Sequence, residues 1–228
     1  MAERPMASVA AFLDAVRGGD RAATAAMLKS DRGLAGARDE AGLSALMLAR
    51  YHGHRDVAEA ILAADPPLDL HEAAIAGRAD RVVAVLRSGV DVGARSVDGF
   101  TALHFAAFFA DEATARVLLE HGADATAVAD NASAVAPLHS AAAAGNVAVA
   151  RLLLDAGADP NARQAGGFVP LHAAADNGDD ALVSLLLEGG ADAGARTDDG
   201  RTAADLARGK DQVSIAERLD AARTHSSP

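Results

Sequence analysis

The chain has no cysteine. That excludes disulfides, thiolate metal sites and a cysteine nucleophile, and it fits a reducing, cytoplasmic compartment. Aromatic residues make up only 3% of the 228 positions, although half of the chain is hydrophobic. Small side chains suit closely packed helices better than a thick sheet sandwich. No stretch approaches the roughly 18 uninterrupted apolar residues of a membrane span. The most alanine-rich segment, Ala141 to Leu154, is broken by Asn146 and Arg151. Met1 to Ser8 lacks the apolar core of a secretory signal. Basic residues are the minority, 21 Lys plus Arg against 32 Asp plus Glu, for a net charge of -11. No basic run offsets this, so phosphate backbones and anionic lipid are disfavoured as partners. Neither a Gly-x-Ser-x-Gly elbow nor a Gly-x-x-x-x-Gly-Lys loop occurs.

What is present is a period. Leu-His occurs at Leu70-His71, Leu103-His104, Leu138-His139 and Leu171-His172, in steps of 33, 35 and 33. Gly89, Gly122, Gly157 and Gly190, each followed by a small residue and Asp, keep the same steps. Two unrelated markers on one ruler, with one shared irregularity, indicate an internal repeat. Weaker markers extend it outward, giving about seven units anchored at Leu13, Leu46, Leu70, Leu103, Leu138, Leu171 and Ala204.

Each unit reads as two short helices. Thr101 is placed to cap one start, and Pro137 and Pro170 suit a first helical turn. Second helices carry apolar runs such as Leu152-Leu153-Leu154 and end at a glycine suited to the left-handed C-cap. Helices below about 12–15 residues are marginal alone, so each unit needs its neighbours.

Thr101-Ala102-Leu103-His104, Ala136-Pro137-Leu138-His139 and Val169-Pro170-Leu171-His172 resemble the Thr-Pro-Leu-His signature of ankyrin repeats. Leu152 to Ala162 is similar to the family's second-helix and loop pattern. The resemblance implies an all-α solenoid of about seven helix-loop-helix units with short β-hairpin fingers. It implies one domain over residues 8–222, with flexible ends at 1–7 and 223–228. The Ala-rich composition looks like a stand-alone bacterial member. The resemblance also implies a concave face of fingers and first helices that binds proteins. The repeat histidines His104, His139 and His172 would bond to the turn and to neighbouring backbone; the residues before His71 do not match the signature.

Three departures stand out. Leu46 to Leu70 is only 24 residues, with Asp65-Pro66-Pro67 at the junction, so one finger is expected to be missing and the stack to bend there. The finger around Asp130 to Val135 has no glycine, which predicts an unusual shape. Ala203-Ala204-Asp205 replaces the signature in the last unit and suits a polar terminal cap.

A metal at the repeat histidines is excluded on distance. Stacked helices lie about 8–10 Å apart, whereas zinc holds its nitrogens at about 2.0–2.1 Å. His52 and His54 form a His-x-His pair, a weak metal signal. Asn131-Ala132-Ser133 matches a glycosylation sequon. No metal or other cofactor is expected, and no catalytic residue.

In the family, the two residues before the first-helix glycine vary and face the groove. Here they read Gly18 and Gly19, Tyr51 and His52, Ile75 and Ala76, Phe108 and Phe109, Ala143 and Ala144, Asp176 and Asn177, then Gly209 and Lys210. Phe100 and Phe168 take another variable position, just before the first helix. Tyr51, His52, Ile75, Phe100, Phe108, Phe109, Phe168, Asp176 and Asn177 are therefore the candidate partner-binding residues. For Phe108, Phe109 and Tyr51 the alternative is inward packing against the stack. Gly89, Gly122, Gly157 and Gly190 join the three histidines as structural signature. The expected molecule is a monomeric, non-enzymatic adaptor or inhibitor of an unidentified protein. Alternatives are a self-associating module and a small metal-dependent or hydrolytic enzyme.

Overall fold

The computed structural model describes residues 6–109 and 112–225. Its helices among those residues are α1 (Met6–Arg17), α2 (Arg21–Ser30), α3 (Ala45–Tyr51), α4 (Arg55–Ala63), α5 (Leu70–Ile75), α6 (Ala79–Arg87) and α7 (Ala102–Phe109). They continue with α8 (Glu112–Glu120), α9 (Pro137–Ala143), α10 (Val147–Asp155), α11 (Pro170–Asp176), α12 (Asp180–Glu188), α13 (Ala203–Gly209) and α14 (Val213–His225). Of the ends expected to be flexible, 1–5 and 226–228 lie outside the described residues. Met6 and Ala7 instead open α1, and residues 223–225 close α14.

The odd-numbered helices pack on one another in an inner row and the even-numbered helices in an outer row. Leu46, Leu103, Leu138 and Leu171 each take the second position of their inner helix, and all are buried. Alanines fill the space between inner helices: Ala106 and Ala107, Ala141 and Ala142, Ala174 and Ala175 are fully buried. Such small residues let short helices approach closely. Of the outer apolar runs, Leu118, Leu153 and Leu186 reach the core completely.

Caps and glycines set the helix ends. Asp20, Asn146 and Asp179 accept from Ala23, Val149 and Leu182 N–H groups at 2.9, 3.3 and 2.9 Å. Gly89, Gly122, Gly157 and Gly190 hold φ of 86–90° after the outer helices. Asp65 takes the matching place after α4, and Asp211 takes the glycine place after α13. After α1 the left-handed residue is Gly19, so Arg17 and Gly18, not Gly18 and Gly19, correspond to Tyr51 and His52.

The hairpin fingers are reduced to single bridging pairs, Arg38 with Ser44, Arg95 with Thr101 and Arg196 with Thr202. Two residues before the caps of α3, α7, α11 and α13 the backbone is left-handed, at Gly42, Gly99, Gly167 and Gly200. The finger without glycine adopts the same turn, with Ala134 at φ 49°. Its unusual shape lies in the closure: Ala129 N–H reaches Val135 O at 2.7 Å across six residues, where Ser96, Gln164 and Thr197 N–H each bond the carbonyl four residues on. Backbone bonds tie later fingers together: Asp130 N–H to Gly99 O at 2.9 Å, Ala165 N–H to Ser133 O at 2.9 Å, and Asp198 N–H to Gly166 O at 2.8 Å. Asn131 of the sequon donates to Asp98 O at 2.8 Å, which gives it a structural task in that seam.

The 24-residue junction interrupts both rows. No finger separates α4 from α5, α4 barely touches α6, and α3 touches α5 less than other inner neighbours touch. Arg38 spans part of the gap, pairing with Asp69 at 3.0 Å and with buried Glu72 at 3.1 Å at the start of α5.

Candidate functional site

The signature histidines are structural. Thr101 N–H donates to His104 Nδ1 at 3.2 Å, so the ring proton sits on Nε2, which faces Val135 O at 2.9 Å. The Thr101 hydroxyl bonds the same Nδ1 at 2.8 Å rather than capping an orphan backbone N–H as expected. His139 repeats the arrangement with Ala136 N–H at 3.2 Å and Phe168 O at 3.3 Å. His172 accepts from Val169 N–H at 3.0 Å, while its buried Nε2 has no hydrogen-bond partner among the described residues. Burial in this sheath lowers all three pKa values, that of His104 to about 4. In the last unit Asp205 does the histidine's work through a reciprocal capping box with Thr202.

His71 differs. Its helix begins one residue later, with Asp69 as cap and Glu72 in the capping box. His71 Nε2 reaches Ala94 O at 3.0 Å instead. His52 and His54 stack at 6.0 Å, and His54 Nε2 lies 3.0 Å from Arg17 O at the end of α1. Among the described residues no three His, Asp or Glu side chains converge on a metal-sized space.

The aromatic residues gather around the junction. Tyr51, at the end of α3, stacks on Phe109 at 6.1 Å and meets Phe105 at 6.4 Å, both on α7. Its hydroxyl donates to Asp98 in the finger before α7. Desolvation, then this carboxylate, raises the phenol's pKa. Beside it Arg50 donates to Phe109 O at 2.8 Å, with its guanidinium 4.9 Å from the Phe109 ring centre. Side chains from α3 therefore reach α7 across the short helix α5. Ile75, expected in the groove, lies beneath this bridge and is buried. It belongs to the core and offers no surface to a partner.

Phe108 points outward, 45% exposed, touching the edge of Phe109 at 4.7 Å between centroids. Phe109 is partly buried, under Arg50 and Tyr51, and Tyr51 itself keeps 38% of its surface. Phe100 is partly buried against Phe105 and His104. Together Tyr51, Phe100, His104, Phe105, Phe108, Phe109 and Ser140 line an open, nearly wholly apolar pocket of about 170 Å³. Phe168 sits apart from it, edge-on to His172 at 5.6 Å.

Asp176 and Asn177 are also remote from the pocket. Asp176 lies 3.8 Å from Lys210, and Asn177 donates to Ala142 O and Ala143 O at the end of α9, both at 3.2 Å. His52 is exposed. The sequence reading missed Arg50, which alanine-rich surroundings hide and which only the short junction brings to α7.

The family model for ankyrin repeats in three copies matches residues 70–164, and the single ankyrin-repeat model matches residues 166–198. The chain belongs to the ankyrin-repeat family. Among curated proteins none matches it. The matched region begins at Leu70, the first residue of α5. Ankyrin repeats are generally protein-protein interaction modules and typically non-enzymatic. No helix among the described residues is long and apolar enough to cross a membrane.

Proposed function

We propose that residues 8–222 form one ankyrin domain that serves as a cytoplasmic adaptor or inhibitor, gripping a partner protein through the pocket between Tyr51 and Phe108. The exposure of Phe108 beside an apolar hollow is the observation that carries this reading. In a chain with one Tyr and six Phe, most of these rings gather around one hollow. Aromatic side chains at the centre of an interface commonly dominate its binding energy. A partner's apolar side chain fits the hollow. Asp176, and the Asn177 carbonyl left free by its amide's bonds to α9, would contact the partner further along the concave face.

The test is capture of partners from the native host by tagged protein, with Phe108→Ala as the control. Loss of the captured partner, with helical CD and melting temperature near wild type, supports the reading. Undiminished capture by a folded Phe108→Ala protein contradicts it. Light scattering separates the self-association alternative: an adaptor keeps a monomer mass at all concentrations, whereas a self-associating module gains mass and loses it in Phe108→Ala.

A further inference from the structure

Beside the junction two cations, Arg50 and Arg55, pair with no carboxylate among the described residues. A cleft of about 370 Å³ opens there, and its walls include Leu46, Ala58, Leu62, Ile75 and Phe109. Arg50 and Arg55 line this cleft and also a neighbouring hollow of about 280 Å³ that continues past Phe108. In a protein with 32 acidic residues against 21 basic ones, a neighbouring arginine pair is expected to find a carboxylate. Neither does so among the described residues. Arg50 spends one N–H on the Phe109 carbonyl, and its Nε–H is buried without an acceptor. Arg55 is exposed and makes no ion pair. Glu59, on the same cleft wall, pairs with neither. Burial and then repulsion from Arg55 lower the Arg50 pKa. A positive pair in a partly dry cleft favours an anion.

We propose that this cleft binds a carboxylate attached to an apolar group. The carboxylate sits between the Arg55 guanidinium and the outward N–H groups of Arg50. The apolar part lies against Leu62 and Phe109. A planar guanidinium matches a carboxylate in geometry as well as in charge. The acid could be a free small molecule or, resting on the function proposed above, the C-terminus of a partner chain.

Titration of the full chain with 4-phenylbutyrate, followed by arginine side-chain and methyl NMR, tests the site. Saturable millimolar shifts at Arg50 and Leu62 are expected, and 4-phenylbutyramide should give none. Arg55→Gln, at an exposed position that spares the fold, should weaken binding about tenfold, with Arg55→Lys recovering part of it. Equal shifts with the amide, indifference to Arg55→Gln, or no saturable shift would each overturn the proposal. A short peptide ending in Ala-Leu with a free carboxylate, against its amidated form, separates the sources. Tighter binding than phenylbutyrate assigns a partner terminus, and weaker binding assigns a small acid. Phe108→Ala should leave phenylbutyrate affinity within about twofold, so loss of partner capture there and loss of this anion site are distinguishable results.

Discussion

The stack from α7 to α11 and the junction from α3 to α5 solve one problem in opposite ways. In the regular part, inner helices meet through buried alanines, and a histidine in the first turn of α7 and of α9 fastens its helix to the next finger. At the junction a finger is missing and the alanine seam cannot close. Large side chains fill in: Arg50 and Tyr51 cross to Phe105 and Phe109. Regular repetition leaves a smooth, small-residue face. Interruption leaves aromatic rings and cations partly open to solvent, and that is where the binding features collect.

The largest expected difference between the two regions is in acid. His104 titrates at about 4 in the folded chain, against about 6.5 when unfolded, and His139 and His172 are also lowered. Above pH 6.5 these rings are neutral in both states and stability does not change through them. As pH falls toward 4 the unfolded chain takes up protons that the folded chain refuses, so stability is lost. His104 alone accounts for about 3 kcal/mol by pH 4. Urea midpoints measured from pH 7 to 4.5 should fall, and His104→Gln should flatten part of that slope. The junction, with Met47 and Glu72 at the matching places, lacks this device.

Next is the pair of adjacent phenylalanines. Phe109→Ala removes a ring packed under Arg50 and Tyr51 and should cost about 2–3 kcal/mol in urea unfolding. Phe108→Ala should cost less than about 1 kcal/mol. Equal costs would mean that the bridge across α5 is not formed.

The finger turns give a smaller, paired effect of opposite sign. A Cβ on Gly99 would lie 2.3 Å from Asp130 O, in a backbone already at φ 86°. Gly99→Ala should therefore destabilise by more than about 1 kcal/mol. Ala134→Gly, at the equivalent left-handed place, should raise the melting temperature through a gain of about 1 kcal/mol. Of similar size, Asn177→Ala loses two bonds to the end of α9 and should cost about 1 kcal/mol.

The repeat itself was legible because leucine, histidine and glycine each do one fixed task per unit. Leu103, Leu138 and Leu171 occupy matching buried positions, as the ruler implies. The junction was legible only as a short step. Leu70-His71 looks like the signature, yet Asp69 and Glu72 make the capping box and shift the helix start by one residue. The same ruler put Ile75 in the groove, since spacing cannot see that α3 reaches over α5. Left-handed turns at Asp65, Ala134 and Asp211 were hidden because the residue that normally advertises them is absent. The exposure of Phe108 against the partial burial of Phe109 depends on a contact 59 residues away in the chain, from Arg50, and no local pattern encodes it.

Amide hydrogen exchange on Phe109→Ala tests most directly whether α3 is held by α7 across the junction. Peptides covering residues 45–63 should lose protection in this variant and keep it in Phe108→Ala. Loss confined to α7 and α9, with residues 45–63 unchanged, would contradict the bridge and the site built on it.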